Sequence, residues 1–105
     1  MQTEAFGTLY GFENHSGRTV LGAGQQALGR VLRGNGNNGE DGTEGARTVN
    51  AVGTYLHGPL LPTNPVLADA LLTLALERRG EPARLAPVDE PLVERSRSEA
   101  AVRAY

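Results

Sequence analysis

The chain has 105 residues, enough for one small domain or for part of a larger one. Ten basic residues are mixed among 12 acidic ones, and the net charge of -2 argues against a binding surface for nucleic acid or for an anionic membrane. The absence of Cys excludes disulfides, zinc–thiolate sites and thiol catalysis by these residues alone. No apolar run is long enough for a membrane span, and the N-terminal sequence lacks the basic and apolar regions of an export signal, so we expect a cytoplasmic protein.

The glycines predict a first half made of short strands and turns. Thirteen of the 14 lie in residues 1–58, and glycine is unfavourable inside helices and strands. The predicted strands, which precede a helical second half in an α/β chain, are Phe6–Phe12, Arg18–Leu21, Ala27–Arg33 and Arg47–Leu56.

Residues 34–45, GNGNNGEDGTEG, interrupt this series of strands. The segment holds five Gly, three Asn and no apolar side chain. It cannot bury enough apolar surface to offset the entropy lost on ordering, and we predict a mobile surface loop.

The second half has apolar residues at helical spacing, which predict a helix over residues 65–79. Asn64 can cap it, and Leu67, Leu71 and Leu74 recur at helical spacing. Gly80 is a natural stop. Three prolines then predict an extended linker, and a weakly amphipathic helix that frays at its end is expected from about residue 92 within the segment 81–105.

His57 is the first candidate for chemistry. It ends a predicted strand and precedes a Gly-Pro loop, where side chains are exposed on a rigid support. Neutral imidazole is the usual general base near pH 7. The pattern also allows a surface histidine without catalytic function.

The second candidate is the polar run Glu13, Asn14 and His15. These side chains could line a site, but Asn, Ser and Gly are ordinary turn residues, and from the pattern alone a hairpin connection is favoured. Ser16 lacks the GxSxG context of a hydrolase nucleophile. The GAGQQA motif at 22–27 is better explained by a turn than by a dinucleotide-binding fingerprint. The acidic Asn/Gly segment lacks the ligand spacing of a calcium-binding loop. We therefore predict no metal site.

Two motifs together carry a family resemblance. GFENHSGRT at 11–19 and GTYLHGPLLPTNP at 53–65 resemble the C-terminal half of GatD-type proteins, the glutamine amidotransferase subunits of lipid II isoglutaminyl synthases. GFENH is also similar to the Tyr-Glu-Ile-His segment of cobyric acid synthase amidotransferases. The resemblance extends from about residue 11 to residue 87.

The resemblance implies the C-terminal half of a class I amidotransferase domain, a three-layer α/β fold with a mostly parallel central sheet. His57 would correspond to the histidine that activates a nucleophilic Cys, and Glu13, Asn14 and His15 to a segment near the active site that could bind substrate. The substrate would be glutamine. The ammonia would pass to a MurT-like ligase subunit that binds ATP and Mg²⁺ and amidates the D-glutamate of lipid II in peptidoglycan synthesis, with no cofactor in this chain.

Three departures from the family pattern qualify these expectations. Many class I enzymes have a Glu two residues after the catalytic His, where this chain has Pro59, and Ser16 replaces a usual Gly. The Cys-bearing N-terminal half lies outside these residues, so we expect the 105-residue chain to be inactive alone. Cobyric acid-type amidation in cobalamin synthesis and a non-catalytic binding module remain the alternatives.

Overall fold

The structure is a computed structural model and describes residues 1–87 and 91–103. Within these ranges, eight two-residue strands are followed by three helices, in agreement with the predicted α/β division of the chain. The strands are β1 (Gln2–Thr3), β2 (Gly7–Thr8), β3 (Phe12–Glu13), β4 (Gly29–Arg30), β5 (Thr43–Glu44), β6 (Ala46–Arg47), β7 (Val52–Gly53) and β8 (Leu56–His57). The helices are α1 (Leu60–Thr63), α2 (Pro65–Arg78) and α3 (Pro91–Arg103).

The strands of the described residues form one four-stranded sheet, in the order β2-β1-β4-β5, and two separate pairs, β3-β8 and β6-β7. All of these pairs are antiparallel. Short connections account for the pairs β1-β2 and β6-β7, because a parallel pair needs a crossover of about a dozen residues or more. The mostly parallel sheet that the resemblance implies is thus not formed within the described ranges, and the three-layer arrangement stays a prediction.

Two of the predicted strands are divided in the structure. Phe6–Phe12 contains β2 and the first residue of β3, while Arg47–Leu56 runs from the end of β6 through β7 to the start of β8. A turn divides the second range, where the Thr48 N–H donates to the Ala51 carbonyl at 2.9 Å. Alternation of apolar and polar residues does not reveal such a turn.

The predicted strand Arg18–Leu21 is wrong. The Thr19 N–H donates to the Asn37 carbonyl at 2.7 Å, and Asn38 Nδ2 donates to the Thr19 carbonyl at 3.0 Å. The backbone of this segment therefore pairs with the glycine-rich segment instead of with a strand. The predicted strand Ala27–Arg33 is confirmed only where β4 lies.

The segment 34–45 is packed in part, because it contains β5 and because Asn37 and Glu44 are each only 1% exposed. The Asn37 side chain donates to the Gly45 carbonyl at 3.0 Å and accepts from the Gly45 N–H at 2.9 Å. The prediction of a surface loop is wrong for these residues. Their polar side chains form hydrogen bonds with backbone groups, so they are buried although the segment has no apolar side chain. Mobility of the remaining residues stays a prediction.

The predicted helix over 65–79 is confirmed as α2. Leu67 is buried and Leu71 half-buried, but Leu74 is exposed, so the apolar stripe is only partly covered. Gly80 ends the helix with a φ of +73°, as predicted. The side chain of Asn64, however, makes no capping hydrogen bond to the helix, and that prediction is wrong.

The predicted terminal helix is confirmed as α3, and the described part of the linker before it, residues 81–87, has no regular structure. The expected fraying at the chain end concerns residues 104–105, which lie outside the described residues. Arg97 fixes α3 through hydrogen bonds from its guanidinium to the Thr63 and Thr8 carbonyls at 3.2 and 3.1 Å.

The buried apolar core is small and consists of Met1, Phe6, Leu9, Leu28 and Leu67. The Cα radius of gyration is 14.5 Å, above the value of about 13 Å expected for a compact domain of this length. Large apolar side chains such as Phe12 and Leu32 are 57% and 61% exposed. Within the described ranges, no helix has the length and apolarity that a membrane span requires.

Candidate functional site

The antiparallel pair of β3 and β8 joins the two motifs that the sequence singled out. Phe12 lies opposite His57, and Glu13 lies opposite Leu56. Gly11 permits this approach, since a Cβ there would lie 2.8 Å from the His57 carbonyl oxygen and 3.0 Å from the Leu56 Cβ. The two motifs, separated by 33 residues of sequence, therefore share one two-stranded ladder.

His57 occupies the position that its sequence context predicts. It is the last residue of β8, is exposed, and precedes a loop that leads to α1. Its ring stacks on Phe12 with the ring centroids 5.6 Å apart and the planes inclined by 27°. Pro59, two residues further on, has no side-chain group that could accept a hydrogen bond from the imidazole.

His15 is more constrained than His57. Its ring lies parallel to the Tyr55 ring, with centroids 3.6 Å apart, and its Nδ1 donates to the Gly17 carbonyl at 2.8 Å. The Tyr55 hydroxyl shares a hydrogen bond of 2.6 Å with Thr19 Oγ1. In the neutral imidazole the proton is thus on Nδ1, and Nε2 is left as an acceptor.

The other two residues of the polar run differ in their surroundings. Asn14 is exposed, whereas Glu13 is half-buried. Glu13 Oε2 accepts from the Asn35 N–H at 2.9 Å, and Oε1 accepts from the Gly36 N–H at 2.8 Å. The hairpin connection favoured by the pattern is therefore not formed here, because Glu13 belongs to β3 and pairs with β8, and its carboxylate holds the glycine-rich segment.

Glu44 is a site residue that the sequence analysis missed. Its buried carboxylate accepts from Thr54 Oγ1 at 2.8 Å and from the Tyr55 N–H at 2.6 Å, directly before β8. In the sequence it is one of several acids in a polar segment, and nothing there distinguishes it from exposed Glu40. The pairing of β5 with β4 and of β6 with β7 brings it to this position.

Two concave regions adjoin the β3-β8 ladder. One, of about 740 Å³, lies between the ladder and α3 and includes Phe12, Leu32 and Pro59 in its lining. The other, of about 410 Å³, is polar and includes His15 and Arg18. Glu13 and Asn35 line both regions, so their contact forms the wall that divides them.

The structure shows the local arrangement of the motifs that the sequence analysis set aside. GAGQQA forms a turn closed by the Gln25 N–H and the Gly22 carbonyl at 3.0 Å, without the helix that a dinucleotide site needs. Among the described residues, no three His, Cys, Asp or Glu side chains are arranged to hold a metal ion.

Comparison with known proteins agrees with the two motifs. Residues 2–65 match the family model of the CobB/CobQ-like glutamine amidotransferase domain. The chain is 48% identical over 89 residues to the lipid II isoglutaminyl synthase (glutamine-hydrolyzing) subunit GatD of Staphylococcus aureus, an alignment that covers 85% of this chain and 36% of that protein. It is 51% identical over 72 residues to the GatD of Streptococcus pneumoniae, covering 69% of this chain and 28% of that protein.

A probable cobyric acid synthase of Methanothermobacter thermautotrophicus is a more limited match. It is 49% identical over 51 residues, which make up 49% of this chain and 10% of that protein. The chain thus spans about a third of the length of the GatD proteins that it matches and a smaller part of the synthase.

Proposed function

The chain belongs to the CobB/CobQ-like glutamine amidotransferase family, and we propose that it forms the histidine-bearing C-terminal part of an enzyme that hydrolyses glutamine and passes the ammonia to a ligase. The observation that carries the proposal is the β3-β8 ladder, in which Phe12 faces His57 and the two family motifs meet. The names of the two GatD relatives, both glutamine-hydrolyzing subunits, support the same reaction.

His57 is the general base of the proposed reaction. A Cys thiol from the remaining part of the enzyme loses its proton to His57, and the thiolate attacks the side-chain amide carbon of glutamine. His57 returns the proton to the leaving nitrogen, so that ammonia departs and a glutamyl thioester remains. Water, deprotonated by His57, then attacks the thioester, and the products are glutamate and the free thiol.

The position of His57 suits a nucleophile that another segment provides. Its side chain is exposed at a strand end, and the stack on Phe12 restricts the ring without enclosing it. No Cys occurs in these 105 residues, so we expect no glutamine hydrolysis by this chain alone. In this proposal the complete domain has three layers. The residues beside the base are Glu13, Asn14 and His15.

The proposed ammonia acceptor is the D-glutamate of lipid II, in peptidoglycan synthesis. A MurT-like ligase subunit would bind ATP and Mg²⁺ and activate the acceptor, while this chain holds no cofactor. The GatD alignments support this acceptor over cobyric acid, because they cover 85% and 69% of the chain against 49% for the synthase.

The test measures glutamate and ammonia release by the complete amidotransferase, assembled with its ligase subunit. His57→Gln is expected to abolish release, because Gln cannot accept the thiol proton. His15→Gln, the matched change at the second histidine, is expected to lower it only several-fold, since the His15 ring is committed to Tyr55 and Gly17.

Each outcome decides between named alternatives. Hydrolysis that survives in His57→Gln would overturn the assignment, and its loss in His15→Gln instead would identify His15 as the base. An unsubstituted complex that associates with the ligase but releases no glutamate would favour a non-catalytic binding module.

A further inference from the structure

We propose that Glu13 is a positioning residue, which fixes the strand pair carrying His57 by holding the glycine-rich segment through its carboxylate. The inference rests on the proposed function, because it concerns the geometry of the proposed base. It assigns Glu13 a function inside the protein, in place of contact with substrate.

The β3-β8 ladder needs support from outside. It contains two residues from each strand and, among the described residues, is not paired with the four-stranded sheet. A two-stranded pair of this kind is marginal by itself in water. The orientation of His57, at the end of the ladder, therefore depends on contacts that fix β3 or β8 to the rest of the chain.

Glu13 provides one such contact. Both carboxylate oxygens are used, Oε2 by the Asn35 N–H and Oε1 by the Gly36 N–H, at 2.9 and 2.8 Å. Hydrogen bonds from backbone N–H groups to a carboxylate are stronger than neutral ones. The two bonds together hold the carboxylate against the backbone of residues 35 and 36.

The segment that Glu13 holds is itself connected to the main sheet. Directly after Gly36, the Asn37 N–H donates to the Thr43 carbonyl at 2.9 Å, and Thr43 belongs to β5. The Asn37 side chain bonds Gly45 as well. A continuous series of hydrogen bonds thus extends from the four-stranded sheet through residues 35–37 to Glu13, one residue from the partner of His57.

The Glu13 carboxylate occupies the space in which a side chain at position 34 would lie. Gly34 has a φ of +112°, and a Cβ there would lie 2.7 Å from Glu13 Oε1. Gly42, in the same segment, has a φ of +71° with nothing within 4 Å of its Cβ position. Alanine at either position carries backbone strain, but only at Gly34 does it displace the carboxylate.

Alanine substitutions at Gly34 and Gly42 give a matched test in the complete amidotransferase with its ligase subunit. Glu13→Gln and Gly34→Ala are each expected to lower kcat for glutamine hydrolysis by about 10- to 100-fold with KM changed less than about twofold, because misplacing a base slows the chemical step without removing a substrate contact. Gly42→Ala is expected to retain kcat. Thermal unfolding of each variant checks that the protein is folded.

Every result decides the inference. A kcat retained in Glu13→Gln, or a rise in KM alone, would overturn the positioning function while His57→Gln still tests the reaction itself. If Glu13→Gln does not fold, Gly34→Ala decides, since it keeps the carboxylate but displaces it from its two N–H partners. Loss of kcat in Gly42→Ala equal to that in Gly34→Ala would reduce the effect to general destabilisation and overturn the proposal.

Discussion

The side chain of Asn64 forms two hydrogen bonds with the backbone of Tyr10, across 54 residues of sequence. The Tyr10 N–H donates to Oδ1 at 2.8 Å, and Nδ2 donates to the Tyr10 carbonyl at 2.7 Å. Nδ2 also donates to the Leu60 carbonyl at 2.8 Å. Asn64 is completely buried and therefore fixes the chain before β3 to the start of the helical half.

Replacing Asn64 with Ala is expected to lower the free energy of unfolding by about 2 to 4 kcal/mol, because it removes the partners of the Tyr10 N–H and carbonyl, which are shielded from water in part. Urea denaturation followed by circular dichroism measures the change. Asn50→Ala, at an exposed position, is the control and should change stability by less than about 0.5 kcal/mol. Equal stability of the two variants would contradict the structural function of Asn64.

Arg97→Lys is expected to loosen α3 without unfolding the rest of the chain. The guanidinium spans two carbonyls, of Thr8 and Thr63, and lies 5.0 Å from the centroid of the Tyr10 ring. A lysine keeps the charge but cannot reproduce this forked geometry. Amide hydrogen exchange should accelerate in α3 and remain slow in the four-stranded sheet.

Arg95→Lys is the control for this prediction, because Arg95 lies exposed on the same helix. Exchange in α3 should match that of the unsubstituted protein. Equal protection of α3 in both variants would show that apolar contacts, and not Arg97, fix the helix.

The pH dependence of stability provides a prediction for Asp41. Hydrogen bonds from the side chains of Thr43 and Asn38 and from the Thr43 N–H lower the pKa of Asp41 below its ordinary value of 3.8. A carboxyl whose pKa is lower in the folded state stabilises the fold above its unfolded pKa, and this contribution is lost as the pH falls through the folded pKa. Stability should therefore decrease on acidification below about pH 4.

Asp41→Asn should reduce this decrease, and it should be less stable than the unsubstituted chain at neutral pH. Urea midpoints measured from pH 6 to about pH 2.5 cover the range. Glu40→Gln makes the same change of charge at the adjacent exposed residue without removing these bonds. A decrease that persists unchanged in Asp41→Asn would contradict the prediction.

The α2 helix was predictable to within a residue because its signals are local, whereas the short α1 was not predicted. Leucines at helical spacing, Pro65 in the first turn and Gly80 at the end are each read from neighbouring residues. The position of His57 at a strand end was equally readable from the Gly-Pro sequence that follows it. Local steric preferences fix such features before any tertiary contact forms.

The strands were less predictable, because their pairing is decided elsewhere in the chain. Thr19 lies in a segment with strand-like composition, yet its backbone bonds residues 37 and 38 of the glycine-rich segment. That segment in turn looked unable to pack, since the prediction counted only apolar side chains. Asn37 and Glu44 become buried there because hydrogen bonds satisfy them.

The sequence by itself determined the α2 helix, the two motifs and, through their resemblance, the family. The tertiary structure decided which of the polar residues work together. That Glu13 holds residues 35 and 36, that Glu44 supports the start of β8 and that Asn64 bonds Tyr10 are all relations between distant segments. The partners of these hydrogen bonds are not spaced regularly in the sequence, so only the folded chain reveals them.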